Sequence, residues 1–137
     1  MSKKKSLILD SWSLLAYFKE EKAGLKVKKL LHQAVQGRIN LYLNLFNWGE
    51  IYYLILRQFG QKRLRKAISV IEQSPIKLVA IDKELVILAA EQKAKGSLSL
   101  ADCFVFATAK QLQGVLVTGD PDFKLLKKEV EILWLWN

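Results

Sequence analysis

The chain has 137 residues, of which 51% are hydrophobic and 26% charged. This length suits a single domain, which we place over residues 1–137, and the composition excludes a disordered or fibrous protein. The net charge of +9 favours a polyanionic partner, with nucleic acid as the first candidate, although the same surplus also serves solubility.

Hydrophobic periodicity and turn residues predict strands that alternate with helices along the chain. In the first half of the chain, the predicted elements are a strand over 6–10, helices over 12–20 and 24–36, a strand over 40–43, a helix from Asn47 that Gly60 ends and a basic helix over 61–73. In the second half they are a strand over 76–81, a helix over 83–95, an apolar helix from Ser99 to about 112, a strand over 115–118, a short helix that begins within 119–123 and a strand over 132–136. Such alternation predicts parallel pairing and a three-layer α/β domain.

The first residues and the few special side chains narrow the function further. The apolar run Leu7-Ile8-Leu9 is too short for a signal or membrane segment, and Cys103 is the only cysteine. We therefore expect a cytoplasmic protein without membrane contact, in which Cys103 is a small core residue. His32 is the only histidine, which excludes a ribonuclease that works through paired histidines.

Several acids occupy positions that helix capping alone could explain. Asn47-Trp-Gly-Glu50 and Ser99-Leu-Ala-Asp102 have the spacing of capping boxes, and Asp120 can cap a helix that starts at Pro121. Each acid taken singly favours this structural interpretation.

The placement of these acids in the chain favours a common site. Asp10 and Asp120 come at or just after strand ends, where open parallel sheets bind ligands. If the first and fourth strands are neighbours, Asp10 faces Asp120, and Glu50 and Asp102 project from helix starts on the same edge. Clustered carboxylates repel one another unless a cation neutralises them, and oxygen ligands suit Mg²⁺ or Mn²⁺.

In this order and spacing the motifs resemble the PIN-domain family, and within it the VapC-type ribonuclease toxins of toxin–antitoxin pairs. The resemblance covers essentially the whole chain. It rests on Leu9-Asp10-Ser11, Asn47-Trp-Gly-Glu50-Ile-Tyr-Tyr, Leu98-Ser-Leu-Ala-Asp102 and Leu116-Val-Thr-Gly-Asp120-Pro-Asp-Phe123.

The resemblance implies an α/β/α fold with a five-stranded sheet of order 3-2-1-4-5 and a metal-dependent endoribonuclease. It implies that Asp10, Glu50, Asp102 and Asp120 are catalytic and bind Mg²⁺ or Mn²⁺, with Asp122 as a further ligand. In the resemblance, the hydroxyls of Ser11 and Thr118 orient the acids or a phosphate. RNA phosphodiesters would be hydrolysed by metal-activated water to 5′-phosphate and 3′-hydroxyl ends.

The same resemblance implies a homodimer and an antitoxin whose segment fills a groove near the acids. We predict that five basic residues contact the RNA backbone; the alternative is that they only form a solvated helix face. These residues are Arg57, Lys62, Arg63, Arg65 and Lys66. Relatives often carry a small polar residue at the position of Trp12, so this tryptophan either packs in the core or stacks on a base. Trp48, Trp134 and Trp136 are candidates for the core, a dimer contact or a partner's groove.

Other functions remain as alternatives. A housekeeping RNA-processing nuclease would use the same chemistry on another target, and a non-catalytic PIN module would bind RNA or protein without cleavage. A phosphatase of the haloacid dehalogenase type needs a second Asp where this chain has Trp12. A phosphoacceptor receiver domain needs an adjacent acidic pair and a lysine that do not occur at the matching places.

Overall fold

The computed structural model describes residues 4–136, so residues 1–3 and 137 of the predicted domain lie outside the described residues. Its centre is one five-stranded parallel sheet. The strands are β1 (Lys5–Leu9), β2 (Ile39–Asn44), β3 (Lys77–Val79), β4 (Val115–Thr118) and β5 (Ile132–Trp134). They lie in the order β3-β2-β1-β4-β5, which confirms the order that the resemblance implied.

Six α-helices and one 3₁₀ helix connect these strands. They are α1 (Ser11–Phe18), α2 (Gly24–Val35), α3 (Leu45–Phe59), α4 (Gln61–Gln73), α5 (Lys83–Lys95), α6 (Leu100–Leu112) and the 3₁₀ helix Pro121–Leu126. None of the helices among residues 4–136 combines the length and the apolar character that a membrane span requires.

The sheet separates two hydrophobic cores because successive side chains of a strand point to opposite faces. In β1, Leu7 and Leu9 join a core that also contains buried residues of α1 to α4. Ile8, between them, joins the other core, which is built from α5, α6 and the 3₁₀ helix. The three-layer arrangement predicted from the sequence is therefore confirmed.

Two strands are shorter than predicted, and in each the length of the partner strand sets the limit. β3 pairs only with β2, through Tyr42 to Asn44, and β2 then turns directly into α3. The predicted strand over 76–81 consequently finds no partner beyond Val79. β5 likewise stops at Trp134, opposite Thr118 at the end of β4, and not at 136 as predicted.

The start of α3 corrects the predicted cap. Asn44, and not Asn47, caps this helix, because its side-chain oxygen accepts a hydrogen bond of 2.8 Å from the backbone N–H of Asn47. Asn47 lies inside the first turn and is buried. The caps predicted at Ser99 and Asp120 are confirmed by side-chain hydrogen bonds to the first turns of their helices, and Asp82 caps α5 in the same way.

Candidate metal centre

Asp10 lies at the carboxyl end of β1, where its side chain caps α1. One carboxylate oxygen, Oδ1, accepts a hydrogen bond of 2.8 Å from the backbone N–H of Ser13, and the other, Oδ2, accepts one from the Thr118 hydroxyl. Only 2% of the residue is exposed. Burial raises the pKa of Asp10 to about 7, despite the opposing effect of these hydrogen bonds.

Thr118 connects Asp10 to the next acid along the sheet edge. Its hydroxyl oxygen also accepts a hydrogen bond of 3.0 Å from the backbone N–H of Asp120. One buried hydroxyl at the end of β4 therefore holds the side chain of Asp10 and the main chain of Asp120.

Three acids converge on one point of this edge. Asp102, Asp120 and Asp122 each offer a carboxylate oxygen, and these oxygens lie within 4.8 Å of one another. Asp102 projects from the first turn of α6, while Asp120 caps the 3₁₀ helix whose first turn contains Asp122. Burial, followed by the negative charge of Asp120, raises the pKa of Asp102 to about 6.

Asp10 and Glu50 lie outside this three-acid group but within its electrostatic reach. The charge of Asp102 contributes to the raised pKa of Asp10, and the charge of Glu50 contributes to that of Asp102. Glu50 also accepts a hydrogen bond from the hydroxyl of Ser11. The structure thus places Ser11 and Thr118 each on one of the acids predicted for the site.

Asn47 is a residue of the site that sequence reasoning treated only as a helix cap. It is 1% exposed, and its side-chain amide lies 3.5 Å from Glu50 Oε1 and 3.3 Å from the backbone oxygen of Ala101. Ala101 immediately precedes Asp102, so Asn47 links the two helices that carry Glu50 and Asp102. Nearby, Asn44 donates to the Thr108 hydroxyl of α6 at 3.0 Å.

In the described part of the chain, no basic residue forms an ion pair with these acids. Within residues 4–136, the one ion pair joins Lys5 to Glu131 on the surface. The five basic residues predicted to contact RNA are exposed, and Arg57 follows Glu50 by roughly 10 Å along α3. Three of them, Lys62, Arg63 and Lys66, line a groove between α1–α2 and α3–α4, which we call the basic groove.

Two tryptophans contact the turn that precedes Asp120. A Cβ atom added to Gly119 would lie 2.2 Å from the Trp12 ring, so the ring packs directly on this glycine. The indole N–H of Trp136 donates to the backbone oxygen of Gly119. Trp12 is thus packed within the fold, while Trp48 is half-buried beside Tyr52 and Trp134 stacks on Trp136.

The donor set of the site suits a hard divalent cation. It consists of carboxylate oxygens without a Lys or Arg partner among the described residues, and their separations allow several to contact one ion. Asp102, Asp120 and Asp122 are close enough to share one ion, whereas Asp10 and Glu50, which the resemblance also implied as ligands, lie outside this group. His32 is exposed on α2 and takes no part.

Comparisons with known proteins agree with this architecture. A family model described as PIN domain matches residues 7–129. Among solved structures, VapBC from Salmonella typhimurium, bound to DNA, has a TM-score of 0.74 at 11% identity, over 96% of this chain and 99% of that chain. VapBC2 from Rickettsia felis, bound to a promoter DNA fragment, has a TM-score of 0.73 at 10% identity, over 93% and 97%.

A third similar structure is VapC20 from Mycobacterium tuberculosis, described as a toxin that cleaves the sarcin–ricin loop. Its TM-score is 0.70 at 15% identity, over 87% of this chain and 93% of that chain. Among curated proteins, no sequence match was found. At these identities the structural likeness establishes the fold, and the family match covers most of the chain.

Proposed function

The chain belongs to the PIN domain family, and we propose that it is a divalent-metal-dependent endoribonuclease that acts as the toxin of a toxin–antitoxin pair. The observation that carries the proposal is the convergence of Asp102, Asp120 and Asp122 at the carboxyl edge of the sheet. We propose Mg²⁺ or Mn²⁺ as the metal, and Asp10, Glu50, Asp102 and Asp120 as the catalytic acids. The protein is proposed to be one cytoplasmic domain over residues 1–137, consistent with its free, buried Cys103.

The proposed reaction is the hydrolysis of a phosphodiester bond, and several residues of the site have proposed roles in it. When bound, a divalent ion would supply Lewis-acid charge stabilisation and an acidified water. We propose that Asp102, Asp120 and Asp122 would hold that ion and that Glu50, which accepts a hydrogen bond from Ser11, would accept a proton. The hydroxyl of Thr118 forms hydrogen bonds with the side chain of Asp10 and with the backbone N–H of Asp120, and so fixes these two acids relative to each other. The products would carry 5′-phosphate and 3′-hydroxyl ends.

The experiment is an RNA cleavage assay in Mn²⁺, in Mg²⁺ and in EDTA, together with Mn²⁺ titration of the same proteins. Asp102→Asn should lose cleavage and bind Mn²⁺ more weakly. Asp82→Asn is the matched control, because Asp82 also caps a helix after a strand but lies outside the three-acid group. Cleavage that persists in EDTA or in Asp102→Asn would contradict the proposal.

The basic groove supports a protein partner within this proposal. Its volume is about 890 Å³, and its charged lining residues are Lys19, Glu20, Glu21, Lys28, Lys62, Arg63 and Lys66. Apolar side chains also line it, among them Leu25 and Phe59, which are 61% and 40% exposed. A surplus of basic residues together with exposed apolar side chains matches an acidic amphipathic peptide better than an RNA backbone. We therefore propose an antitoxin segment as the occupant.

A second copy of the chain is proposed to cover the outer side of α5. This helix packs on α6 through Leu85 and Ala89, yet it leaves Val86, Ile87 and Leu88 between 36% and 47% exposed. Burial of such side chains would stabilise a homodimer.

Analytical ultracentrifugation tests this dimer. The variant Ile87→Asp should sediment as a monomer, whereas Lys95→Glu, on the same helix, should remain a dimer. A native chain that is monomeric at micromolar concentration would contradict the proposal.

A further inference from the structure

The turn at Gly119 is enclosed by two tryptophans that come from distant parts of the chain. Trp12 belongs to the first turn of α1, one residue after Ser11, and its six-membered ring lies on the Gly119 Cα. Atoms Cη2, Cζ3 and Cζ2 would lie 2.2, 2.3 and 2.8 Å from any added Cβ. Only glycine permits this approach, since real Cβ contacts are longer.

Trp136 holds the same peptide group from the other end of the chain. Its indole N–H donates to Gly119 O, while Leu135 N donates to Thr118 O at 3.0 Å. Trp136 also stacks on Trp134 with ring centroids 4.6 Å apart. The residues after β5 are thereby bound to two successive carbonyl groups of the turn.

We infer that Trp12 and Trp136 are positioning residues, which fix the Gly119 peptide and through it the carboxylate of Asp120. Asp120 follows Gly119 directly, and its own backbone N–H and side chain are already used in the turn. A shift of Gly119 would therefore carry the Asp120 carboxylate away from Asp102 and Asp122. The consequence for metal binding rests on the proposed function, whereas the order of the turn does not.

The first test measures the turn without metal, by amide hydrogen exchange at Asp120 and Asp122. Trp136→Phe keeps an aromatic ring but removes the donor to Gly119, and loss of one hydrogen bond should speed exchange at both amides about two- to tenfold. Trp134→Phe is the matched control, because Trp134 stacks in the same pair without bonding to Gly119. Unchanged exchange in Trp136→Phe, or equal acceleration in both variants, would overturn the inference.

The second test uses Gly119→Ala, whose new methyl group meets the Trp12 ring. Its exchange at Asp120 should be faster than in the native chain, and adding Trp12→Phe, which lacks the outer ring atoms, should restore it. If the amide of Asp120 exchanges as fast in the double variant as in Gly119→Ala, the proposed role of Trp12 is wrong. Thermal unfolding of each variant separates this local effect from general loss of stability.

The third measurement is Mn²⁺ affinity, which should fall about two- to tenfold in Trp136→Phe and stay within about twofold in Trp134→Phe. If the native chain binds no Mn²⁺, the proposed metal-dependent function fails, and the exchange data still decide whether the tryptophans fix the turn. If Mn²⁺ binds equally to all three proteins, Trp136 does not position Asp120 for the metal.

Discussion

The hydroxyl of Thr118 donates a hydrogen bond to the carboxylate of Asp10 from 108 positions further along the chain. It does so because β1 and β4 are hydrogen-bonded neighbours that end at the same edge of the sheet. The contact is fully buried and joins the two strand ends from which Asp10 and Asp120 project.

Thr118→Val retains the shape of this side chain and removes its hydroxyl. The Asp10 carboxylate loses a donor that lowers its pKa, so we expect the pKa to rise further and RNA cleavage to fall about tenfold, since hydrogen bonds to charged groups contribute about 1.5–3 kcal/mol. The acid limb of the pH–rate profile should move to higher pH. Thr118→Ser keeps the hydroxyl and should remain close to native in both respects.

Asp10→Asn should stabilise the metal-free protein at alkaline pH. Because burial raises the pKa of Asp10 to about 7, the folded state binds this proton more readily than the unfolded state. The free energy of unfolding therefore decreases as pH rises from about 4 to 7, by on the order of 4 kcal/mol at most. Urea unfolding in EDTA should show that Asp10→Asn is more stable than the native chain at pH 8 and similarly stable at pH 4. In the control, Asp82→Asn, the free energy of unfolding should change with pH as it does in the native chain.

The affinity for Mn²⁺ should decrease in acid. Burial and the charge of Asp120 raise the pKa of Asp102 to about 6, and a metal must displace the proton of a protonated ligand. Below pH 6 we expect about a tenfold loss of affinity per pH unit for each proton displaced. Calorimetric titrations at pH 7.5, 6 and 5 would show it, and an affinity independent of pH would argue against Asp102 as a ligand.

Asn47→Asp tests the link between α3 and α6. The substitution replaces a buried amide donor with a carboxylate that faces Glu50 and the backbone oxygen of Ala101. We expect a loss of about 2–4 kcal/mol at pH 8 and a smaller loss at pH 5, where the new carboxyl group is protonated and can donate. Asn40→Asp, which would still accept from Lys77, is the control; equal melting curves for the two variants would contradict the role of Asn47.

Charge reversal in the basic groove distinguishes a protein partner from RNA. Lys62→Glu combined with Arg63→Glu should leave metal-dependent cleavage unchanged and prevent binding of the proposed antitoxin. Lys127→Glu with Lys128→Glu, on exposed residues outside the groove, should preserve that binding. If the groove variant instead loses cleavage and still binds the antitoxin, the basic residues contact RNA as the sequence first suggested.

Local patterns were sufficient to predict the element types, because caps and glycine stops act over three or four residues. Local patterns could not determine which asparagine caps α3, because Asn44-Leu-Phe-Asn47 and Asn47-Trp-Gly-Glu50 both have the spacing of a cap. The strand pairing of Asn44 with Val79 determines that the helix begins after Asn44. Likewise, the ends of β3 and β5 depend on partner strands that are distant in sequence. The strand order came from family resemblance and not from periodicity.

The same distinction between local patterns and long-range contacts applies to the candidate site. Strand ends and helix starts located the acids, but the hydrogen bonds of Asn47 and the packing of Trp12 on Gly119 join separate regions of the chain. No spacing rule identifies such contacts. The three-acid group also contains Asp122, which the sequence placed behind the other four, because the 3₁₀ turn folds it back beside Asp120.

The order of the strands has a consequence for synthesis. The chain makes β1 and β2 first, but β1 acquires its other neighbour only when residues 115–118 emerge, and Trp136 reaches Gly119 later still. A ribosome-bound fragment therefore lacks Asp120 and the contacts that fix it until translation of this region is nearly finished. In the proposed toxin, the site would therefore stay incomplete while these residues are being made, which would leave time for the proposed antitoxin to be present when the site closes.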